Sequence, residues 1–158
     1  NPGEQVGVHA LPESQLDRFL MRIAVGYPNF AAERQLLSGG RPDTALPALL
    51  DCARLQALQA QCLELFVSDE LLDMIQAMTV TSRTDARLKL GLSPRGMLAL
   101  KASAQAWAML AGRDFVAPED LFAVTPAVLS HRLLPRPGQP DGQTLCRLLM
   151  ESVWGCRA

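Results

Sequence analysis

Arg95 is the side chain whose position most invites chemistry. It follows Ser93-Pro94, a pair that caps and starts a helix, so its guanidinium falls in the first turn beside unpaired backbone N–H groups and the positive end of the helix dipole. A cation is locally unfavourable there. A phosphate between the guanidinium and the helix end would resolve the conflict, because arginine is always charged and donates two parallel hydrogen bonds. Without a phosphate, Arg95 is a solvated side chain that tolerates roughly a few tenths of a kcal/mol. Arg18 stands near the end of a short helix that leads into an apolar run, where it reads either as an anion-seeking side chain or as half of an Asp17-Arg18 surface pair. The string Gly91 to Met97 has the glycine spacing of a phosphate loop but lacks the lysine and hydroxyl that would meet phosphate and Mg²⁺. His9 and His131 lie far apart and outside any metal or nucleophile motif, so both read as structural or exposed. Cys52, Cys62, Cys146 and Cys156 form two pairs ten apart, without the short knuckle of a zinc site, and read as reduced, largely buried thiols. No metal site is expected.

The elements that must hold these residues are mostly helices. Pro12-Glu13 starts a short one carrying Asp17 and Arg18 toward Leu20–Val25, whose β-branched run before Gly26 and Tyr27-Pro28 has the profile of a single buried strand. A lone strand needs a partner, and nothing later in the sequence offers one. Asn29 caps a helix that stops at Ser38-Gly39-Gly40, and a Pro-containing linker follows over 41–47. The spacing of Leu55, Leu58, Cys62 and Leu65 predicts a helix over about 51–65, and Ser68 caps the next, with Leu71, Leu72, Ile75 and Met78 on its buried face. Residues 79–92 read as a polar, basic connection. The helix opened by Ser93 presents Met97, Leu100, Ala104, Trp107, Ala108 and Ala111 on one stripe and ends at Gly112. Pro118 starts another, which Pro126 should kink or divide. A Pro- and Gly-rich loop over 135–142 precedes a last amphipathic helix from Thr144.

The chain has 158 residues, 49% of them hydrophobic and 5% aromatic, enough for one main core built by alanine and leucine rather than a β-sandwich. With 15 Lys+Arg against 16 Asp+Glu and no basic window interleaved with aromatics, a nucleic-acid partner is not expected. Apolar stretches are interrupted well before the ~20 residues of a membrane span, so no direct membrane insertion is expected and the reading is cytoplasmic.

Taken together, the residues resemble the C-terminal portion of a MoxR-type AAA+ ATPase, over nearly the whole chain up to about Leu134. Asn1-Pro2 with Glu4-Gln5 and Gly7 resembles the sensor-one end of a core strand, and Leu11-Pro12-Glu13-Ser14-Gln15-Leu16-Asp17-Arg18-Phe19 resembles the family's L-P-E-A-Q-L-D-R-F helix. Met21-Arg22-Ile23 and Gly26-Tyr27-Pro28 resemble the last core strand and its exit. Thr81-Ser82-Arg83, Gly91-Leu92-Ser93-Pro94-Arg95-Gly96, Gly112-Arg113-Asp114 and His131-Arg132 resemble the small helical lid with its sensor-two arginine. Ser14, Leu92 and Gly96 depart from the family's small residues without removing a charge, and the tail after Pro135 matches no pattern.

The resemblance implies a mainly α fold: an AAA+ lid-type helical bundle over 28–158, preceded by a remnant of an α/β core over 1–27 that holds a helix and one strand. It implies that Arg18 is an arginine finger reaching the γ-phosphate in a neighbouring subunit. Asn1 would be the sensor-one amide that positions the attacking water. Arg95 would be sensor two, contacting the nucleotide of its own subunit, and Tyr27 would sit at the hinge as a possible neighbour of adenine. The longer protein would bind ATP and Mg, assemble with other subunits of its own ring, and remodel or activate client proteins. The present stretch, lacking the phosphate loop and the Mg-binding acidic strand, is expected to bind no nucleotide tightly and to be inactive alone. It is also expected to self-associate or to swap its Asn1–Val25 arm. The competing reading is a stand-alone helical protein-interaction module without nucleotide chemistry.

Overall fold

The computed structural model describes residues 11–39 and 47–155. Among them are seven helices, α1 (Glu13–Leu16), α2 (Phe30–Leu37), α3 (Cys52–Leu63), α4 (Asp69–Thr84), α5 (Pro94–Leu110), α6 (Pro118–Leu129) and α7 (Gly142–Trp154), and two short strands, β1 (Leu88–Leu90) and β2 (Leu134–Pro135). Asn1, His9, Cys156 and most of the linker read at 41–47 lie outside the described residues.

Helix starts follow the capping residues of the sequence. Asn29, Asp51, Ser68, Ser93 and Asp141 each accept a hydrogen bond from the backbone N–H three residues on, satisfying a donor that the helix itself leaves open. Gly39, Gly112 and Gly155 take φ near +70° just after helix ends, a conformation open to glycine without a Cβ clash. Helices α4 to α7 pack into one body: Met78, Leu100, Leu121, Val128, Leu129 and Leu145 are all fully shielded from water. Burying a side chain of that kind contributes about 1.5–3 kcal/mol each, which is why these four helices carry the fold. Arg113, just past α5, grips Asp120 in the first turn of α6 at 2.6 and 2.5 Å, and Asp120 also accepts from Ala117 N at 2.8 Å. Burial pushes the Asp120 carboxyl up, but these bonds outweigh it and hold it below its ordinary value. Trp154 Nε1 donates to the Met74 carbonyl at 3.1 Å, tying α7 to α4.

The segment Leu20–Val25 is not a strand. Its backbone runs irregularly, Ile23 and Val25 are 73% and 92% exposed, and the Arg22 N–H donates to the carbonyl of Ala127 at 2.8 Å. A strand exists only with a partner along its length, and no described segment supplies one. The sheet that does form pairs β1 with β2 antiparallel, Leu88 opposite Pro135 and Leu90 opposite Leu134. Both strands lie where the sequence suggested connection and loop.

Helix α4 continues to Thr84 through residues read as a polar connection. Thr79 Oγ1 donates to the Ile75 carbonyl and Ser82 Oγ to the Thr79 carbonyl, both at 2.8 Å, so the hydroxyls are satisfied inside the helix and can be buried. Pro126 does not divide α6, because Leu121, Val124, Val128 and Leu129 are buried on both sides of it and outweigh the one missing backbone bond. Helix α3 keeps its apolar stripe only half covered, with Leu55 47% exposed and no residue fully buried. Of the cysteines, Cys146 is buried with its thiol pushed up to about 12, Cys62 is half-buried and Cys52 is exposed, so the expectation of largely buried thiols fails at Cys52.

Candidate functional site

Helix α1 is four residues long and cannot hold itself together, so its position depends on what its end touches. The end is Asp17, and Asp17 meets three groups of the helical body. Ser93 Oγ donates to both carboxylate oxygens at 2.9 and 3.0 Å while accepting from Gly96 N at 3.1 Å. Arg132 Nε donates to Oδ1 at 3.2 Å, and Arg95 places a guanidinium nitrogen 3.6 Å from Oδ2. The expected Asp17-Arg18 surface pair therefore does not form; the carboxylate faces the bundle, and the exposed Arg18 occupies the turn that follows.

Arg132 is the least exposed member of this group, its side chain only 2% accessible. Beyond Asp17 Oδ1, its guanidinium donates to the main-chain carbonyls of Asp17 at 3.2 Å, Phe19 at 2.6 Å and Leu20 at 2.9 Å, and to that of Val128. The stem of Arg132 lies against Gly96, where an added Cβ would come within 3.0 Å of Arg132 Cδ, so a residue without a side chain at 96 leaves room for it. Burial draws the guanidinium down from its ordinary value and Asp17 pushes it back up; it remains charged. His131, the preceding residue, places Nε2 3.1 Å from the Phe19 carbonyl and has no partner at its buried Nδ1. Residues 17–22 are thus laid along the end of α6 by side chains from 131 and 132 and by Ala127.

Arg95 sits in the first turn of α5 as the sequence implied, with its side chain 56% exposed. The anion beside it in this structure is Asp17. At this exposure and distance such a pair is worth about 1 kcal/mol or less, so a phosphate could displace it. Tyr27 is 90% exposed and forms no hydrogen bond with any member of this group. The structure therefore brings Arg95 beside the turn of Arg18 and leaves Tyr27 apart, while Asn1 lies outside the described residues.

A cleft of about 590 Å³ opens between α1 and the bundle, lined by Glu13, Asp17, Arg83, Lys89, Ser93 and Arg132 among others. Its inner cations are engaged: Arg83 Nε donates to the Leu92 carbonyl at 2.8 Å and Arg132 is held as described, while Lys89 at the rim keeps only an exposed contact with Glu13 at 3.6 Å. It is a gap at the α1 docking face rather than a ready anion pocket. Among the described residues, no group of three or more His, Cys, Asp or Glu is gathered that could hold a metal ion. Nor is any helix there long and apolar enough to cross a membrane.

Local sequence does not mark Asp17 or Arg132: Asp17 reads as the partner of Arg18 beside it, and Arg132 only as part of the His131-Arg132 string. Their partners lie 76 to 115 positions away, and no local pattern encodes that pairing.

The AAA lid domain family model matches residues 80–147. The chain is 36% identical over 140 residues to the uncharacterized protein YeaC of Bacillus subtilis, covering 87% of this chain and 44% of YeaC. It is 38% identical over 147 residues to the chaperone MoxR1 of Mycobacterium tuberculosis, covering 85% of this chain and 38% of MoxR1. A solved structure of a candidate ATPase from Cytophaga hutchinsonii superposes with a TM-score of 0.85 at 23% identity, over 97% of this chain and 51% of that one, a likeness of fold. The chain spans less than half the length of these curated relatives.

Proposed function

Because this chain is a C-terminal portion of a MoxR-type AAA+ ATPase, with the helical bundle of an AAA lid, we propose that it reports on nucleotide through Arg95 and reaches a neighbouring subunit through Arg18. In this reading residues 1–27 are the end of the α/β core and residues 28–158 the lid. Arg95 is sensor two: it leaves Asp17 for the phosphates of ATP bound in its own subunit, so that ATP, ADP and empty states hold the lid at different angles to the core. Arg18 is the arginine finger, spreading the charge that builds on the γ-phosphoryl group in the adjacent subunit of a ring. Asn1 positions the attacking water, and Tyr27 lies at the hinge near adenine. ATP is the substrate, and this stretch, whose sequence holds no phosphate loop and no Mg-binding acidic strand, does not turn over alone. The whole protein couples hydrolysis to chaperone-like remodelling of client proteins in the cytoplasm.

The observation that carries this reading is the junction at Asp17. It puts the turn of Arg18 against the first turn of α5, with Arg95 beside it and both arginines still exposed. The exposed apolar side chains of residues 19–37, among them Tyr27 at 90% and Phe30 at 81%, support a core packed over that face.

Arg18→Ala in the natural protein should lower kcat for ATP by roughly 10³-fold or more while changing nucleotide affinity little. Equal rates would remove the finger assignment. The isolated stretch should show no ATPase activity, and a clear turnover abolished by Arg95→Ala would refute the division of labour.

A further inference from the structure

We propose that Arg132 is the positioning residue for Arg18, acting through the main-chain carbonyls on either side of it; this rests on Arg18 being the finger. A finger works only if its guanidinium arrives within a fraction of an ångström of the phosphoryl oxygens, and a long exposed side chain has no packing of its own to direct it. What can be directed is the backbone from which it springs. Here that backbone belongs to a turn after a one-turn helix, an element that cannot stabilise itself.

The turn is also held from outside. The buried guanidinium of Arg132 donates to the carbonyl of Asp17 before Arg18, and to those of Phe19 and Leu20 after it, at 3.2, 2.6 and 2.9 Å. Its Nε adds the Asp17 carboxylate at 3.2 Å. His131 reinforces the Phe19 carbonyl, and the Ala127 carbonyl accepts from Arg22 N at 2.8 Å. Three carbonyls within four residues therefore converge on one planar donor set, a pattern that glutamine or lysine cannot reproduce because neither presents a rigid fork of five N–H groups. The same guanidinium bonds the Val128 carbonyl inside α6, so the turn, which α1 holds only through Arg18 N to the Gln15 carbonyl at 3.0 Å and Phe19 N to the Leu16 carbonyl at 3.2 Å, is fastened to the helical body as well. Arg18, at the end of the core, is thereby tied to the bundle that carries Arg95 wherever this contact is made, so the lid angle set by nucleotide in one subunit decides how firmly the finger aimed at the next is held.

The test is steady-state ATPase kinetics of the natural protein with Arg132→Gln, with Arg132→Lys, with Arg18→Ala, and with Arg18→Ala combined with Arg132→Gln. Arg132→Gln should lower kcat roughly 10- to 100-fold, the loss expected of a misplaced catalytic group, with KM for ATP changed less than about threefold. It should lower the rate no further once Arg18 is already alanine. Arg132→Lys keeps the charge and the buried stem, and should fold if Arg132→Gln does not; it too should lose kcat. Wild-type kcat in a folded Arg132 variant overturns the proposal, as does a second full loss in the double variant. Arg18→Ala with wild-type kcat would identify the finger assignment itself as the failure. Amide hydrogen exchange over residues 17–22 reads the fastening apart from the chemistry: exchange should quicken in Arg132→Gln, and unchanged protection would show that Arg132 does not hold the turn.

Discussion

At the scale of single residues, the account turns on which charges are free and which are engaged. Arg113 and Arg132 are consumed by carboxylates and carbonyls, whereas Arg95 keeps only an exposed contact with Asp17. The first-turn position of Arg95 was legible in the sequence because Ser93-Pro94 announces a helix start. The anion that answers it was not, since Asp17 is brought there by the fold. His131 carries a prediction of its own. Burial lowers its pKa below the ordinary ~6.5, the Phe19 carbonyl partly opposes this, and Arg132 lowers it further. The folded chain therefore binds that proton less readily than the unfolded chain, so stability is level above about pH 6.5 and falls as pH drops toward the lowered folded value. Thermal melting of the protein should drop between about pH 7.5 and pH 5.5, and His131→Gln should flatten that drop. The same pH dependence in both proteins would show that His131 does not carry it.

At the scale of elements, helices were readable wherever a capping residue and an apolar stripe agreed, as at Asn29, Ser68 and Ser93. They were misjudged where hydroxyls bonded back into the helix, as at Thr79 and Ser82. The strand read at Leu20–Val25 shows the limit of local pattern: β-branched residues mark a segment fit for a sheet, but a sheet requires an edge. Helix α5 offers the sharpest check on packing. Leu100 is fully buried and Leu98, two residues away, is 61% exposed. Leu100→Ala should cost about 2–5 kcal/mol in urea unfolding, by lost burial and a residual cavity, whereas Leu98→Ala should stay within about 0.5 kcal/mol. Comparable losses would mean that Leu98 is covered as well as Leu100. Gly91 tests the junction between α4 and β1: a Cβ there would sit 2.4 Å from the Ser82 carbonyl oxygen, so Gly91→Ala should destabilise by about 1–3 kcal/mol through forced displacement of α4 backbone. A neutral Gly91→Ala would show that this approach is looser than described.

At the scale of the whole molecule, the helical body from α4 to α7 holds the buried core, while α1, α2 and α3 bury no residue and expose apolar side chains that need cover. The proposed cover is the core, and the proposed use of the arrangement is a ring in which each nucleotide site draws on two subunits. Arg95 serves its own subunit and Arg18 serves the neighbour, which makes the two arginines separable by mixing. Subunits with Arg18→Ala and subunits with Arg95→Ala should each be nearly inactive alone. When they are assembled together, a site in the Arg18→Ala subunit keeps its own Arg95 and receives an intact finger from an Arg95→Ala neighbour. ATPase activity of the mixture should therefore rise well above either variant alone, and a mixture no more active than the average of the two would contradict the account.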